Sequence, residues 1–428
     1  MIRAAYTLLM RAAQPLFRHK LQRRGVAEPG YLEAVEERFG RYAQPTEPGR
    51  LWIHAVSLGE TRAAAILIES LRRRDPRLRF LLTHGTATGR AEGRALLQPG
   101  DAQAWLPWDT PAAVGGFLAH FRPRAGVLME TEIWPNLVAG CSAAGVPLAL
   151  ANARLSDKSL RQAQRVAGLS RPAYASLSAV WAQTDSDASR LAQAGARVGG
   201  VFGNLKFDAQ PEPALLAQGK AWRRQAGRPV LMFASSREGE EAALLQALQA
   251  ASGTGAPVPP EGPAAARFLV VPRHPQRFDE VAALAAASGM SVSQRSSWDA
   301  AGPPAAAALW LGDSLGEMPL YYGMADVALL GGSFEPLGGQ NLIEAAACGC
   351  PVIMGPHTFN FAEAAEQAEA SGAAIRVATI EEAVQQARAL VADPQRHART
   401  VTACSAFAAA HRGAAGRTAE AVLTQLLA

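Results

Sequence analysis

The sequence has few cysteines, few charged residues and no long apolar run. Four cysteines in 428 residues are too few for the disulfide framework that holds small secreted domains together. No stretch of about 20 consecutive apolar residues occurs, so the sequence predicts no membrane-spanning helix. Charged residues make up 18% of the chain and apolar residues 49%, which indicates a globular protein with a large buried core. At this length two domains are expected, because single cores rarely grow beyond about 250–300 residues.

The sequence also lacks a convincing metal site. Cys348-Gly-Cys350 has no second pair of cysteines or histidines at ligand spacing, so small buried side chains are favoured over metal ligands. Asp185-Ser186-Asp187 has the D-x-D pattern of metal-dependent glycosyltransferases. It stands directly before a predicted helix, however, where Asp and Ser are common N-caps. We therefore predict neither a metal nor a cofactor.

Positive charge is in mild excess, with a formal net charge of +5 at pH 7. Such an excess suits nucleic acid, an anionic membrane surface or an anionic substrate. No nucleic-acid-binding signature is present, so nucleic acid is not an expected partner. At the N-terminus no acid precedes Glu28, and the basic residues before it are Arg3, Arg11, Arg18, Lys20, Arg23 and Arg24.

Apolar residues of this N-terminal segment recur at roughly helical spacing. They are Tyr6, Leu9, Met10, Ala13, Leu16, Phe17 and Leu21. A basic amphipathic helix can lie in the headgroup layer of an anionic leaflet, so the sequence predicts contact with an anionic membrane surface. The alternative is a helix that packs on the folded domain.

From about Leu51 onwards, short apolar runs alternate with amphipathic helical stretches, such as 61–74 and about 90–97. The predicted strands are 51–56, 79–84, 125–129, 147–152, 179–184 and 199–204 in the first half, and 229–235, 267–272, 308–313, 326–332 and 351–355 in the second. This alternation predicts parallel sheets with helices on both faces. The expected fold class is therefore α/β.

Two such halves predict two Rossmann-like domains, residues 1–205 and 206–428, with a ligand site in the cleft that they face. The polar, proline-containing segment 205–216 is the predicted linker, and the last helix of the region 390–428 could cross back onto the first domain. The Gly/Pro-rich segment 251–266 is predicted to be a surface loop insertion.

Carboxylates follow two predicted strands of the first half. Glu60 lies in the turn HAVSLGET (54–61), and Glu130 and Glu132 lie in METEIWPN (129–136). Since residues two apart share a face of an extended segment, paired acids at a strand end suggest acid/base chemistry, cation binding or a structural pair. The alternative is structural for both turns: Glu60 complements a helix dipole, and the second turn caps the next helix.

Polar and glycine-rich loops follow the predicted strands of the second half. Arg237 follows the first of them, and Arg273 with His274 follows the next. Gly338-Gly339 precedes a helix predicted to start near Asn341, which would let backbone N–H groups approach a phosphate. Glu344, on the same helix turn, could accept hydrogen bonds from ribose hydroxyls. The alternative for any single loop is an ordinary surface turn.

Several motifs occur along the chain: HAVSLGE, LTHGTATGR (82–90), ETEIWPN, FGNLKFD (202–208), SLGEM, GGSF and GGQNLIEAAACGCPVIMGPHTFNF. Taken together, they resemble the 3-deoxy-D-manno-octulosonic acid (Kdo) transferase family, in the same order from about residue 30 to 365. The resemblance implies a GT-B fold, CMP-Kdo as the donor, a tetraacylated disaccharide lipid A precursor as the acceptor and an inverting reaction. It also implies that the protein acts at the cytoplasmic face of the bacterial inner membrane.

The resemblance assigns roles to individual residues. Glu60 matches the general base and Glu132 a second acidic position near the reaction centre. Where relatives carry His, this chain has Gln340, so only a backbone role is expected there. The donor-binding positions are Arg237, Arg273, His274, Gly316, Glu317, Met318, Gly338, Gly339, Asn341 and Glu344.

Two other classes of protein remain as alternatives. A UDP-sugar 2-epimerase would share the two-domain architecture but would need no lipid acceptor. A non-catalytic nucleotide-binding membrane adaptor would not need the Glu60 turn or complete donor loops.

Overall fold

The computed structural model describes residues 2–250 and 266–428 and divides the chain into two compact units. Unit 1 contains the residues up to Asp208 together with Arg412–Ala428, and unit 2 is Ala209–His411. The boundary therefore lies three residues after the one expected from the sequence, and the C-terminal segment belongs to the first unit. Of the predicted loop insertion, residues 251–265 lie outside the described residues.

Unit 1 is built on a seven-stranded sheet in which every neighbouring pair of strands is parallel. Its order is β3-β2-β1-β4-β5-β6-β7. The strands read as near-continuous apolar runs because helices cover both faces of the sheet. They are β1 Leu51–His54, β2 Phe80–His84, β3 Ala102–Trp105, β4 Ala125–Met129, β5 Leu148–Ala153, β6 Ala179–Ala182 and β7 Val198–Val201.

Within the described residues of unit 1, nine helices precede the linker: α1 Ile2–Ala12, α2 Gln14–Ala27, α3 Leu58–Arg74, α4 Ala87–Arg94, α5 Pro111–Phe121, α6 Pro135–Ala143, α7 Asp157–Arg165, α8 Ala167–Ala175 and α9 Asp185–Ala194. Short 3-10 turns occur at Pro29–Leu32, Val35–Phe39 and Leu205–Asp208. Leu51 and Ile53 point into one core with Leu67 of α3, whereas Trp52 points into the other with Phe117 of α5.

Unit 2 has its own seven-stranded parallel sheet, in the order β10-β11-β9-β8-β12-β13-β14. Its strands are β8 Val230–Ser236, β9 Arg267–Pro272, β10 Val292–Gln294, β11 Leu309–Leu311, β12 Val327–Leu330, β13 Val352–Met354 and β14 Ala374–Arg376. Its helices are α10 Pro213–Gln225, α11 Glu240–Ala250, α12 Phe278–Ala287, α13 Met318–Met324, α14 Leu342–Ala347, α15 Ala362–Ala370, α16 Ile380–Ala392 and α17 Pro394–Ala410, with 3-10 turns at Pro275–Arg277 and Arg295–Ser297.

The strand order reverses once in each sheet, between β1 and β4 in unit 1 and between β8 and β12 in unit 2. Ligands of open α/β sheets bind outside the carboxyl ends of the strands at such switch points. In unit 1 the loop that follows β4 carries Glu132, and Glu60 lies in the first turn of α3, directly after the loop that follows β1. In unit 2 the loops that follow β8 and β12 carry Arg237 and the GGSF segment (331–334).

The C-terminal segment ends in α18 Ala414–Ala421 and a π-helical turn, Val422–Leu426. Ala419 and Val422 are buried in the core that α3 lines. At the start of α18, the Asp208 carboxylate accepts the backbone N–H groups of Gly413 (2.5 Å) and Ala415 (2.6 Å). The Asp208 carboxylate thus joins the segment where the chain leaves unit 1 to the segment where the chain returns to it.

Several expectations from the sequence are wrong in detail. The N-terminal segment forms two helices rather than one, because Pro15 starts a new helix after a turn at Ala13. Thr184, not Asp185 or Ser186, is the N-cap of α9. Strands β3, β10 and β14 are not predicted from the sequence, because AQAW, VSQ and AIR each contain a polar or charged residue and form no continuous apolar run.

Replacing Asp208 by alanine should loosen the start of α18. Loss of a helix cap costs about 0.5–2 kcal/mol, so amides of 413–421 should exchange with solvent roughly 2–30-fold faster. Hydrogen exchange followed by mass spectrometry measures this. Asp75→Ala is the matched control, because Asp75 accepts one backbone N–H in an exposed turn (3.0 Å from Arg77). If the amides of 413–421 exchange at the same rate in both variants, the role given to Asp208 is contradicted.

Candidate active site

Glu60 lies in the first turn of α3, directly after the turn that joins β1 to α3, and its side chain takes part in a capping arrangement with Ser57. Ser57 is the N-cap, and its hydroxyl accepts the Glu60 N–H at 3.3 Å. The Glu60 carboxylate in turn accepts the Val56 N–H at 2.9 Å and the Ser57 hydroxyl at 3.0 Å. The structural interpretation of Glu60 is therefore correct: the side chain builds the start of its helix.

The electrostatics of the same carboxyl group suit proton transfer. Burial raises the pKa of Glu60 from its ordinary value of 4.5 to about 7, and the charges of Glu130 and Glu132 act in the same direction. The hydrogen bonds from Val56 and Ser57 oppose this rise. A carboxylate whose pKa lies close to neutrality is suited to act as a general base.

Glu130 and Glu132 have different partners. Strand β4 ends at Met129, and Glu130 adopts a left-handed conformation (φ 57°), so the expectation that both acids share one face of an extended segment does not apply. The buried Glu130 carboxylate pairs with Lys206 at 3.3 Å and with Arg154 at 3.6 Å. Glu132 accepts the Trp134 indole N–H at 2.8 Å, and burial, with the charge of Glu130, raises its pKa. Sequence reasoning did not single out Lys206, although it lies in the FGNLKFD motif.

Two buried histidines lie beneath the Glu60 turn. His54 contacts the Thr83 hydroxyl through Nδ1 at 2.9 Å, and His84 Nδ1 lies 3.0 Å from the Ala55 carbonyl oxygen. Burial lowers the pKa of His54 to about 3 and that of His84 to about 4, so both rings are neutral at physiological pH. A carbonyl can only accept, so Nδ1 of His84 carries the proton and fixes the backbone where the turn begins.

In unit 2 the structure brings together the basic residues predicted at two strand ends. Burial lowers the pKa of His274, and the positive charges of Arg237 and Arg273 lower it further, so the three side chains share one electrostatic environment. Arg237 pairs with Glu238 at 3.1 Å, and Arg273 Nε donates to the Gln340 side-chain oxygen at 3.2 Å. Gln340 thus has a side-chain contact, where only a backbone role was expected.

The glycine pair adopts the conformation that its sequence suggests. Gly338 and Gly339 both have positive φ (91° and 74°), and a Cβ on Gly338 would lie 2.4 Å from the Asn360 side chain. The Gly339 N–H, however, donates to the Gly332 carbonyl at 2.7 Å. The Asn341 side chain accepts the Ile343 N–H at 3.1 Å as the N-cap of α14. Two of the N–H groups near the expected phosphate site, those of Gly339 and Ile343, therefore already have partners within the protein.

The remaining predicted donor positions lie around the start of α13 and on α14. Gly316 is exposed with φ 80°, and Met318 begins α13. Glu317 pairs with Arg295 at 2.9 Å. Glu344 is half-buried on α14, close enough for its charge to raise the pKa of Tyr322.

No group of three or more His, Cys, Asp or Glu side chains that could hold a metal ion occurs in the described ranges 2–250 and 266–428. Cys348 and Cys350 are buried free thiols. The Asp187 carboxylate accepts the Leu155 N–H at 2.8 Å and pairs with Arg190 at 3.1 Å. The D-x-D pattern therefore serves the local structure of α9.

The N-terminal helices pack on unit 1 with one side and expose apolar residues on the other. Tyr6 donates to Asp109 at 2.8 Å, and Phe17 stacks on Trp108 with ring centroids 3.9 Å apart. Across residues 2–250 and 266–428, no helix combines the length and the apolar character needed to cross a membrane. The large apolar residues with more than half of their surface exposed in α1 and α2 are Ile2, Leu8, Leu9, Leu16 and Val26.

Helix α1 also forms one wall of an open groove of about 1190 Å³, whose other walls are α5 and α6. Val114 and Leu118 contribute apolar surface to it. Arg3, Arg11 and Arg122 supply positive charge, and among the described residues that line the groove there is no carboxylate. Such a lining suits a ligand that has both an apolar part and a negative charge.

Comparison with known proteins relates both units to glycosyltransferases. Residues 33–209 match the family model described as 3-deoxy-D-manno-octulosonic-acid transferase (kdotransferase), and residues 299–404 match glycosyl transferases group 1. The chain is 48% identical over 430 residues to the 3-deoxy-D-manno-octulosonic acid transferase of Bordetella pertussis, and 98% of each chain is covered.

Solved structures confirm the predicted GT-B fold. A glycosyltransferase from Rickettsia africae ESF-5 matches with a TM-score of 0.57 and 11% identity, over 89% of this chain and 99% of that one. A UDP-GlcNAc 2-epimerase from Neisseria meningitidis matches with a TM-score of 0.55 and 15% identity, over 88% and 99%. At these identities the likeness concerns the fold alone, which transferases and epimerases share. The sequence relationship separates the two classes.

The Glu60 carboxyl group should titrate at about pH 7. Because its pKa in the folded state lies above the unfolded value, the folded chain holds the extra proton between about pH 4.5 and 7. Stability should therefore fall as the pH rises through this window. Carboxyl ¹³C NMR of glutamate-labelled protein should show a resonance whose chemical shift titrates with a midpoint near pH 7. Glu60→Gln should remove this resonance, and Glu69→Gln, an exposed change on the same helix, should retain it. A Glu60 midpoint near 4.5 would show that burial does not act as described.

Proposed function

This chain belongs to the 3-deoxy-D-manno-octulosonic acid transferase family, and from that premise we propose that it transfers Kdo from CMP-Kdo to a lipid A precursor with inversion. The site of action in this proposal is the cytoplasmic face of the bacterial inner membrane. The observation that carries the proposal is the Glu60 carboxyl group, whose pKa burial raises to about 7 at the switch point of the first sheet.

The proposed reaction is a single in-line displacement. The acceptor hydroxyl loses its proton to the Glu60 carboxylate, and its oxygen forms a bond to the anomeric carbon of Kdo. The bond from that carbon to the phosphate oxygen breaks, and CMP leaves with the electron pair. A positioned carboxylate base contributes roughly 10²–10⁴-fold to such a step.

The two neighbouring acids add to the effect of burial on the Glu60 pKa, and they differ from each other in their partners. Lys206 and Arg154 compensate the charge of Glu130, whereas Trp134 supplies Glu132 with one neutral donor. We therefore propose that Glu132 acts beside Glu60: its negative charge helps to keep the pKa of the base raised. Protonated Glu60 after transfer is then stable enough to form at neutral pH.

The donor phosphate is assigned to the basic loops of unit 2. Arg237, Arg273 and His274 follow β8 and β9, and guanidinium groups bind phosphate in fork geometry. Gln340 holds Arg273 through its side chain, which limits the freedom of that guanidinium before CMP-Kdo binds. Gly338 lets the loop backbone turn closely here, while Glu317 and Asn341 support the surrounding loops.

The acceptor is assigned to unit 1. The exposed leucines of α1 and α2 lie among basic residues, as expected for a helix pair that rests on an anionic membrane. The arginine-lined groove beside α1 suits a phosphorylated acyl lipid. The base lies on unit 1 and the donor loops lie on unit 2, so transfer needs both units and CMP binding needs only the second.

The proposal is tested by incubating the purified protein with CMP-Kdo and tetraacylated lipid A precursor and weighing the lipid product. Wild type and Glu69→Gln should add Kdo. Glu60→Gln should lose transfer by at least about 100-fold while its affinity for CMP, measured by calorimetry, stays unchanged. No mass increase with the wild type would overturn the proposed reaction, and more than about a tenth of wild-type turnover in Glu60→Gln would overturn the assigned base.

Membrane contact is tested by changing Leu8, Leu9 and Leu16 together to glutamine. Loss of this exposed apolar surface, which would be buried in the membrane on binding, should weaken binding to vesicles that contain phosphatidylglycerol by at least about tenfold. Val166→Gln, at an apolar position of unit 1 that is 53% exposed, should bind as the wild type does. Undiminished sedimentation of the triple variant with vesicles would exclude this face as the contact surface.

A further inference from the structure

Two consecutive glutamates at the start of α11 are almost completely buried. Glu240 is 1% exposed and Glu241 is 2% exposed. A buried carboxylate is strongly unfavourable unless hydrogen bonds compensate for its lost hydration. Neither residue is needed for the reaction proposed above, so their burial requires another explanation.

Glu240 binds the backbone of two different loops. Its carboxylate accepts the Arg237 N–H at 2.9 Å, in the loop that follows β8. It also accepts the Gly332 N–H at 2.8 Å and the Phe334 N–H at 3.2 Å, in the loop that follows β12. β8 and β12 are the strands at the switch point of this sheet, so Glu240 joins the two loops at the place where a ligand is expected.

The contact continues from Gly332 to the glycine pair. The Gly332 N–H is held by Glu240, and its carbonyl accepts the Gly339 N–H at 2.7 Å. The position of Gly339 therefore depends on Glu240 through one intervening residue.

Glu241 connects the loop that follows β9, which carries Arg273 and His274. Its carboxylate accepts the Ser236 hydroxyl at 2.8 Å and pairs with Arg277 at 2.7 Å. Arg277 is itself buried and lies three residues after His274. The two glutamates together thus fix the loops that carry Arg237, His274 and Gly339.

We propose that Glu240, supported by Glu241, is a positioning residue for the nucleotide-sugar donor: it sets the relative places of the donor-binding loops without touching the donor. This inference rests on the proposed function of those loops. Several N–H donors converge on Glu240, and only a carboxylate offers two oxygens with no hydrogen of its own. A glutamine could keep either the Oε2 contacts to Arg237 and Gly332 or the Oε1 contact to Phe334, but not both, so the loop after β12 loses at least one contact in either orientation.

The test compares Glu240→Gln with Glu382→Gln. Glu382 is the matched control, because it also accepts a backbone N–H at a helix start of unit 2 (Ala378, 2.9 Å) but in an exposed position away from these loops. We expect Glu240→Gln to raise the KM for CMP-Kdo and the Kd for CMP by about tenfold, with the acceptor KM unchanged and kcat within about threefold. Arg273→Ala provides the reference for impaired donor binding, and Glu382→Gln should match the wild type.

The outcomes separate this inference from the proposed function. Wild type that fails to bind CMP would overturn both. Wild type that binds, with Glu240→Gln binding equally well, would overturn the positioning role alone. A variant that only unfolds at a lower temperature and keeps its donor KM would show that Glu240 serves stability. If Glu240→Gln does not fold, Glu240→Asp replaces it, since this change keeps the charge but shortens the side chain. A raised KM for CMP-Kdo in Glu240→Asp would support the positioning role, and an unchanged KM would overturn it.

Discussion

The proposed reaction depends on one half-buried carboxylate that accepts two hydrogen bonds from its own turn. The Val56 N–H and the Ser57 hydroxyl hold Glu60 in place, and the packing that buries it also raises its pKa to about 7. The hydrogen bonds favour the ionised form and burial favours the neutral form. Because neither effect dominates completely, a residue that caps a helix is also able to exchange a proton near neutral pH.

The sheet topology explains why the candidate site residues lie at the ends of particular strands. In both sheets the strand order reverses between two adjacent strands, and the loops diverge at this point to leave room for a ligand. Unit 1 places carboxylates there, and unit 2 places arginines and a glycine-rich loop. Buried residues hold these loops: His84 contacts the backbone at Ala55, where the Glu60 turn begins, and Glu240 joins the two loops of the second switch point.

Much of this arrangement could be predicted from the sequence, because apolar runs of four or more residues mark most strands and the motifs fall directly after them. For Glu60 the sequence set a structural role against a catalytic one, whereas the geometry is compatible with both. The pairing of Lys206 with Glu130 joins residues 76 positions apart, and no local pattern reveals such a contact. Glu240 and Glu241 stand in the charged stretch REGEE, which is typical of an exposed helix start, and only tertiary packing shows that they are buried.

The central claim is tested most directly by the pH dependence of kcat/KM for the wild type and for Ser57→Ala. If Glu60 is the base, log(kcat/KM) should fall with unit slope below about pH 7 in the wild type. Ser57→Ala removes a hydrogen bond that lowers the Glu60 pKa, so the midpoint should move to higher pH. A flat profile across this range, or a midpoint that Ser57→Ala leaves in place, would contradict the assignment of the base to Glu60.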